Sequence, residues 1–533
     1  MLIRENLWLK ANARIDGRDE LIRKLKLTVK EPPTDEELIL SAYKTWGEDC
    51  VKHLIGDFAF AIWDDRSQRL FCARDHFGVK PFFFTHIDGH FNFSSSLNAL
   101  RLDPRVSDAL NEIAIGDYLL FGVNQDHSTT TFKDIQRLSP GHTLTVADNA
   151  ITIRRYWTPS IPAEVRFREN ESYVERFSEL LSRAVADRLR TDRVAISMSG
   201  GLDSTSLAAI AREQGATAHA FSVVYDSLIP DQERRYSTAA AEFLNIPITH
   251  VNADRYSLFD EQVPGEMNQP EPFLLSPLTG QFNDLLRPCA RFSRVALTGY
   301  DGDAFMHEPQ PSLKTRLKRL LVKRHNGDYF FPEWIDESFA ARTNLRERVR
   351  QFWSAPLNKR RPAAMRAVNS KIWTALFEGY DTASTKLDLE VRHPFLDLRL
   401  VEYLLAIPTA PWCIHKHILR RAMKDKLPLA VLNRPKAGLA GDPALQLARH
   451  ASVRWLDSFE VSPQVRAFVN LNRRRSLADE QTSDGLWANL RIYALNYWLT
   501  NSQPSDQLRS VNKSLDHDLN RLDCLKMEIM HGT

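Results

Sequence analysis

The sequence of 533 residues predicts an α/β protein of at least two domains, the second built on a parallel β-sheet. Length is the first observation, because a chain of this size exceeds what one hydrophobic core accommodates. The second observation is that, from residue 173 onward, predicted strands alternate with predicted helices, which is typical of right-handed βαβ units. The third is that short apolar runs between Asp, Gly and Asn turns dominate before residue 155, which predicts a strand-rich first domain.

The first domain is expected to span residues 1–156. Its predicted helices cover 35–46 and 112–120, and its apolar runs, each short enough for one strand, lie at 58–63, 70–73, 81–84 and 91–93. Thr158, Pro159 and Pro162 open a stretch of mixed charge that is typical of a linker.

The second domain is expected to span residues 171–500. The alternating elements are helices at 173–190, 204–214 and 233–243 and strands at 194–198, 218–224, 248–251 and 295–298. Residues 340–500 are mostly helical in pattern, with Trp353, Trp373 and Trp487 as expected core residues. A polar tail covers 501–533.

Composition is that of an ordinary soluble globular protein. There are 70 basic and 67 acidic side chains, so the net charge of +3 gives no argument for nucleic-acid binding. The five cysteines show neither metal-ligand spacing nor a disulfide framework, which predicts reduced thiols and a cytoplasmic location. The N-terminal residues lack the apolar core of a signal peptide, and no apolar run is long enough to span a membrane.

The segment that follows strand 194–198 predicts a phosphate-binding loop. Gly200 and Gly201 leave backbone N–H groups free to surround an oxyanion at the start of a helix. Ser199 and Ser204 supply hydroxyl donors, and Asp203 can hold the Mg²⁺ that accompanies phosphates. The Gly-Lys-Ser/Thr ending of a Walker loop is absent. The alternative is a strand-to-helix turn that merely requires glycine.

Several further motifs resemble those of asparagine synthetases. In the second half they are residues 297–303 (LTGYDGD), 390–397 (EVRHPFLD), 416–420 (KHILR) and 433–436 (NRPK). In the first half they are residues 57–61 (DFAFA), 74–81 (RDHFGVKP) and 139–142 (SPGH). The resemblance implies an N-terminal, glutaminase-like α/β sandwich of the N-terminal-nucleophile type. It also implies a C-terminal ATP-pyrophosphatase domain with a HUP-like parallel sheet and a helical end.

The glutaminase-like domain departs from that family. The family uses an N-terminal cysteine, whereas residue 2 is Leu2 and the first cysteine is Cys50. In the strand that resembles the family's oxyanion strand, Asn12 fits but Ala13 replaces a glycine, and Asp35 stands where the family binds the glutamine amino group. We therefore expect a degenerate, N-terminally truncated domain that does not hydrolyse glutamine.

Tyr300 is the second departure, because asparagine synthetases have glutamate at this position. Tyrosine there resembles β-lactam and carbapenam synthetases, in which a tyrosine oriented by a glutamate deprotonates the attacking amine. Residues 435–443 (PKAGLAGDP) and 229–234 (IPDQER) are similar to lasso-peptide macrolactam cyclases. Glu378 is the candidate partner of Tyr300, although it could equally be a helix-surface carboxylate.

These resemblances imply ATP and Mg²⁺ as cofactors and a reaction that adenylates a carboxylate with release of pyrophosphate. Asp203 and Asp303 are the expected metal ligands, the latter otherwise a turn residue, and Lys436 is expected to stabilise negative charge in both half-reactions. Val223 is expected against adenine, although it would equally suit a core. The remaining expected nucleotide contacts are Ser197, Thr298 and Gly299.

The expected substrate is a ribosomal precursor peptide in which the enzyme closes an isopeptide (macrolactam) ring. A leader peptidase or a recognition-element protein is the expected partner, without nucleic acid or membrane. Two alternatives stay open at this point. One is an asparagine synthetase that uses ammonia or glutamine, and the other is a pseudoenzyme that binds ATP and a peptide without chemistry.

Overall fold

The computed structural model describes residues 2–28, 30–260, 269–308, 330–354, 358, 360–435, 439, 441–449, 456, 459–474 and 476–501. Lys436 and the expected polar tail from residue 502 onward lie outside these ranges. None of the helices within them is both long and apolar enough to cross a lipid bilayer.

The N-terminal domain contains a mixed set of strands and short helices. The strands are β1 (Leu2–Arg4), β2 (Leu7–Asp16), β3 (Ile55–Asp64), β4 (Arg69–Arg74), β5 (Phe83–Ile87), β6 (His90–Ser94), β7 (Gln136–Arg137), β8 (His142–Ala147) and β9 (Ala150–Arg155). The helices are α1 (Arg18–Leu25), α2 (Asp35–Trp46), α3 (Leu97–Leu100) and α4 (Glu112–Phe121). One antiparallel sheet has the order β1-β2-β3-β4-β8-β9, and a smaller one has the order β6-β5-β7.

Alternation along β3 builds the layers of this domain. Phe58, Phe60 and Ile62 face the side on which α1 and α2 pack, whereas Ala59 and Ala61 face the other side. The smaller sheet covers that second side, because successive side chains of a strand point to opposite faces. The result is a helical layer and two stacked sheets, as expected for the predicted α/β sandwich.

The C-terminal domain is built on a five-stranded parallel sheet among the described residues, with the order β12-β11-β10-β13-β14. Its strands are β10 (Arg193–Ser197), β11 (Thr217–Val224), β12 (Ile248–Asn252), β13 (Val295–Thr298) and β14 (Glu390–Arg392). Its first helices are α5 (Asn170–Leu189), α6 (Leu202–Glu213), α7 (Glu233–Leu244), α8 (Thr279–Phe292) and α9 (Gly302–Met306). The predicted α/β class and parallel sheet are confirmed.

The rest of this domain is helical, as predicted. Its helices are α10 (Glu337–Arg342), α11 (Leu345–Ser354), α12 (Pro362–Val368), α13 (Lys371–Tyr380), α14 (Thr382–Thr385), α15 (Leu398–Ala406), α16 (His417–Ala422), α17 (Leu429–Leu432), α18 (Pro443–Ala448), α19 (Pro463–Arg466) and α20 (Ser483–Asn501).

The sheet order places a crevice at the carboxyl ends of β10 and β13. The chain continues from β10 to β11 on one side, and β13 joins β10 on the other, so the strand order reverses there. Ser197 and Thr298, the last residues of β10 and β13, are direct partners in the sheet. Ligands of open α/β sheets bind at such a reversal.

The three tryptophans expected in the core differ in their burial. Trp373 is buried and Trp487 is partly buried, but Trp353 is 61% exposed, so the expectation for Trp353 is wrong. Trp353 lies in the last turn of α11, beyond Leu345 and Val349, through which that helix is buried. A single large apolar side chain on the surface is common in soluble proteins.

Candidate active site

The loop after β10 turns sharply into α6. Gly200 has φ of +68°, and a Cβ atom there would lie 2.5 Å from the backbone nitrogen of Ser237. Any other residue would therefore meet both backbone strain and a clash with α7. The predicted strand–loop–helix geometry of this segment is present.

Hydrogen bonds within the loop hold both serines at the start of α6. The Ser199 N–H donates to Oγ of Ser204 at 3.2 Å, and the Gly201 N–H donates to Oγ of Ser199 at 3.4 Å. Thr205 closes the first turn by donating its hydroxyl to the Gly201 carbonyl at 2.7 Å. The hydroxyls and N–H groups proposed for phosphate binding are thus collected in one short segment.

The end of β13 packs directly on this loop. A Cβ atom at Gly299 would lie 2.6 Å from the backbone nitrogen of Ser204, so only glycine permits the approach. Thr298 is hydrogen-bonded through Oγ1 to Nδ1 of His393 at 2.8 Å. Burial lowers the pKa of His393 to about 3, so a neutral imidazole holds the threonine at pH 7. Val223, one strand away on β11, is partly buried.

Asp203 and Asp303 meet at a single ammonium group. Nζ of Lys416 lies 2.5 Å from Oδ2 of Asp203 and 2.8 Å from Oδ1 of Asp303. Lys416 is buried and adopts a left-handed backbone conformation immediately before α16. Lys416 is a site residue that the sequence motifs did not predict, although it lies within one of them. Its position at the head of the KHILR motif was the available signal.

Asp301 adds a third carboxyl group beside this pair. Its backbone φ is +73°, which is uncommon for a residue other than glycine but tolerated by aspartate. Its Oδ2 atom is buried and has no hydrogen-bond partner within the described residues. Burial, and secondarily the charge of Asp203, raise the pKa of Asp301 to about 8.

Arg434 ties the segment before Lys436 to the phosphate loop. Its guanidinium donates to Oε1 of Glu233 at 2.7 Å and to the Ser199 carbonyl at 3.4 Å, and it lies 4.2 Å above the ring of Tyr236. The chain therefore approaches the loop two residues before Lys436, which itself lies outside the described residues.

Tyr300 stands at the carboxyl end of β13, and the residue is 41% exposed. Its ring lies beside that of Tyr380, with the two centroids 6.1 Å apart. Burial raises the pKa of Tyr300 above its ordinary value. The group placed at the strand end is therefore a phenol with a second tyrosine ring beside it.

Glu378 lies elsewhere. Its carboxylate accepts hydrogen bonds from Arg137, Nε at 2.6 Å and Nη2 at 3.0 Å, and Nη2 of Arg74 lies 3.5 Å away. Residues two apart on a helix point to different sides, so Glu378 on α13 faces away from Tyr380. It is also buried, at 1% exposure. Neither the expected pairing of Glu378 with Tyr300 nor the surface alternative describes this geometry.

Asn12 and Asp35, the two residues expected at the glutamine site, have different surroundings. Asn12 lies on β2 and lines a cavity of about 200 Å³ between the domains, together with Lys80, Tyr380 and His393. Asp35 accepts hydrogen bonds from Arg18 and from Arg190, the latter at 3.0 Å, and from the Ile15 N–H at 3.1 Å. The carboxylate expected to bind an amino group is thus engaged by guanidinium groups of the protein itself.

Comparison with known proteins agrees with both halves of the architecture. Residues 4–157 match the glutamine amidotransferase domain family, and residues 176–500 match the asparagine synthase family. The glutamine-hydrolysing asparagine synthetase 3 of Bacillus subtilis is 28% identical over 457 residues, which is 76% of this chain and 70% of the relative. Asparagine synthetase 2 of the same organism is 27% identical over 482 residues, 81% of this chain and 62% of the relative.

The lasso-cyclase relationship inferred from the motifs is not among these findings, whereas the superfamily expected from the same motifs is confirmed. The matched domains and the relatives indicate an ATP-dependent carbon–nitrogen ligase, as the phosphate loop predicted. With the second match covering more than half of its length, the chain belongs to the asparagine synthase family.

Proposed function

We propose that this ligase adenylates a carboxylate of a ribosomal peptide and then closes a macrolactam ring through an amine of the same peptide. The observation that supports this proposal is the position of Tyr300, a phenol at the carboxyl end of β13, near the carboxyl groups of Asp203, Asp301 and Asp303. A peptide amine is mostly protonated at neutral pH, so a positioned base is needed before it can attack an acyl-adenylate.

The chain's own groups suit the first half-reaction. The loop between β10 and α6 offers N–H groups and the Ser199 and Ser204 hydroxyls to the departing pyrophosphate. Lys416 supplies positive charge between the two aspartates, where the negatively charged pyrophosphate would separate from the rest of the nucleotide. Lys436 remains the proposed group that stabilises the oxyanion.

Asp203 and Asp303 are the proposed Mg²⁺ ligands, and the donor set fits that ion. Both carboxylates lie within 2.8 Å of one nitrogen, and Mg²⁺ typically takes one or two carboxylates plus substrate phosphates. Asp301 places a further buried oxygen without a hydrogen-bond partner, within the described residues, near Asp203. No three His, Cys, Asp or Glu residues in the described ranges form a metal site alone, which leaves room for phosphate oxygens. When bound, the ion would neutralise charge on the phosphates.

In the second half-reaction Tyr300 would take the proton from the attacking amine while Lys436 balances charge on the acyl oxygen. The peptide would be delivered by a partner that recognises its leader, either the leader peptidase or a separate recognition protein. The partner and the cyclase role are proposals that rest on Tyr300 and on the motifs of residues 229–234 and 435–443.

A second candidate is asparagine synthesis from aspartate and ammonia, which the names of the two Bacillus relatives favour. It would use the same loop and the same pair of aspartates. The two candidates differ in what the base must do, because ammonia from solution needs no tethered amine.

Tyr300→Phe separates them. Incubation with a linear peptide that has a free N-terminal amine and an acidic side chain several residues on should give a cyclic product lacking one water. The variant should retain peptide-dependent pyrophosphate exchange but lose that product, because the phenol is needed only for proton removal. Tyr43→Phe, in the N-terminal domain, is the matched control. Asparagine formed from aspartate and ammonia, with no peptide losing water, would establish the second candidate instead.

A further inference from the structure

The side chain of Arg434 joins α7 to the phosphate loop. Its guanidinium donates to Oε1 of Glu233 at 2.7 Å and lies 4.2 Å above the ring of Tyr236. Glu233 and Tyr236 are three positions apart on α7, so both lie on one face of that helix. The loop packs on the same helix, because a Cβ atom at Gly200 would lie 2.8 Å from Cβ of Tyr236.

Arg420, on α16, fixes the main chain at Arg434. Its Nη2 donates to the Arg434 carbonyl at 2.8 Å, and its Nη1 donates to the Leu432 carbonyl. Its Nε donates to the His415 carbonyl at 2.9 Å, one residue before Lys416. The side chains of Arg434 and of its carboxylate partner are each only 11% exposed. The guanidinium of Arg434 is therefore held at both ends before any ligand binds.

This guanidinium reaches the loop at the carbonyl oxygen of Ser199. Nη1 lies 3.4 Å from that oxygen, so the contact is a long hydrogen bond supported by the positive charge. The Ser199 carbonyl and the Gly200 N–H belong to one trans peptide group, in which the two bonds point in opposite directions. A cation that holds the oxygen on one side therefore turns the Gly200 N–H to the other side.

The Gly200 N–H is a donor without a protein acceptor. Gly200 is buried, and within the part of the chain that the structure describes its N–H donates to no other residue. Buried N–H groups in folded proteins are almost always paired, so a missing acceptor indicates a ligand. A phosphate oxygen at the start of α6 would supply that acceptor.

We propose that Arg434 is a positioning residue for the pyrophosphate group. By binding the Ser199 carbonyl it directs the Gly200 N–H into the phosphate site, and Glu233 holds it in that place. Arginine suits this task because its planar guanidinium can bind a carboxylate and a carbonyl at the same time. The inference rests on the adenylation step of the proposed function, which ring closure and asparagine synthesis share.

The sign of one substitution separates this role from a simple effect of charge. Glu233 is a carboxylate close to a loop that binds an anion, so by charge alone Glu233→Gln should strengthen phosphate binding. If Glu233 holds Arg434 in place, the same substitution should weaken phosphate binding. The two mechanisms therefore predict opposite changes in affinity.

Calorimetric titration of the full chain with magnesium ATP, magnesium pyrophosphate and AMP measures these affinities without a carboxylate substrate. Arg434→Met should weaken the binding of ATP and of pyrophosphate about tenfold, the effect of one lost hydrogen bond to a charged group. Its affinity for AMP should be unchanged, because AMP lacks the departing phosphates. Glu233→Gln should weaken ATP binding about threefold. Arg434→Lys, which keeps the charge but not the planar donor geometry, should restore part of the loss.

Arg348→Met is the matched control. Arg348 forms a partly buried ion pair with Asp117 in the N-terminal domain, with Nε donating to Oδ1 at 2.7 Å. This control should lower the midpoint of chemical unfolding and leave the affinity for magnesium ATP unchanged. Combining Glu233→Gln with Arg434→Met should cause no further loss of affinity, because the two residues act as one unit.

Three results would overturn the positioning role. They are unchanged ATP affinity in Arg434→Met, an equal loss of AMP affinity in that variant, and tighter ATP binding in Glu233→Gln. The expected affinities in a protein that cyclises no peptide would support the role of Arg434 and overturn the proposed ring closure.

Discussion

The carboxylate of Glu378 and the guanidinium of Arg137 form a two-point ion pair that joins the domains, with N–O distances of 2.6 and 3.0 Å. Arg137 lies on β7 of the N-terminal domain and Glu378 on α13 of the C-terminal domain. Both side chains are buried, and their pairing offsets the cost of leaving water together with Glu271 beside Arg137 and Arg74 beside Glu378. Glu378 therefore serves the domain interface, and the aromatic partner of Tyr300 comes from the other side of the same helix.

Glu378→Gln should destabilise the protein without changing the rate of ring closure relative to that of adenylation. Loss of the buried negative charge removes one of the two carboxylates that pair with Arg137, the other being Glu271, at a cost of about 2 kcal/mol. Chemical unfolding measures the loss, and Asp388→Asn, in an exposed pair with Arg294, is the control with little expected effect. If the variant folded with unchanged stability but lost ring closure selectively, the catalytic expectation for Glu378 would be restored.

Lys416→Met should reduce the adenylation rate by about a hundredfold. The substitution removes the one ammonium group that the structure places between Asp203 and Asp303, and with it positive charge at the phosphate site. Pyrophosphate exchange measures the effect, and Lys426→Met, in an exposed pair with Glu213, is the matched control. Exchange equal to that of the unmodified enzyme would contradict the role assigned to Lys416.

Stability should fall as the pH is lowered from 7 to 5. Burial lowers the pKa of His76 to about 4, and the unfolded chain has an ordinary histidine pKa of about 6.5. Between these values the unfolded state binds the proton and the folded state does not, so acid favours unfolding. At pH 5 this one residue accounts for about 2 kcal/mol.

His76→Phe isolates that contribution. The imidazole stands edge-on between Tyr156 and Trp157, with centroids 5.3 Å away, so an aromatic replacement suits the space. Denaturant midpoints measured at pH 7 and pH 5 should differ less in the variant than in the unmodified protein. Replacing the exposed His86 should leave the difference unchanged, and an equal pH dependence in His76→Phe would refute the assignment.

Free glutamine should not be hydrolysed by this chain. Asp35, the residue expected to receive the glutamine amino group, is already engaged by Arg18 and Arg190, and Ala13 stands in place of the oxyanion-strand glycine. Release of glutamate, followed enzymatically with and without ATP, is the measurement. Sustained release of glutamate would contradict this prediction, because it would show that glutamine displaces Arg18 and Arg190 from Asp35.

The phosphate site was accessible to sequence reasoning because its determinants are local. A strand, two glycines and a helix start lie within residues 194–204, and their geometry follows from backbone sterics and helix-end N–H groups. The same holds for the alternating strands and helices that predicted the parallel sheet. The spacing of apolar residues along the chain predicts these strands and helices without knowledge of their tertiary contacts.

Local sequence patterns were therefore enough to predict the α/β class, the strand–loop–helix unit at Ser199–Ser204 and a tyrosine at the end of β13. Which side chains meet there depends on long-range packing. Lys416 reaches Asp203 across 213 positions of sequence, and Tyr380 rather than Glu378 reaches Tyr300. The physical reason is that neighbouring side chains of a helix point to different sides. Only the packing of the helix determines which of those sides faces the site.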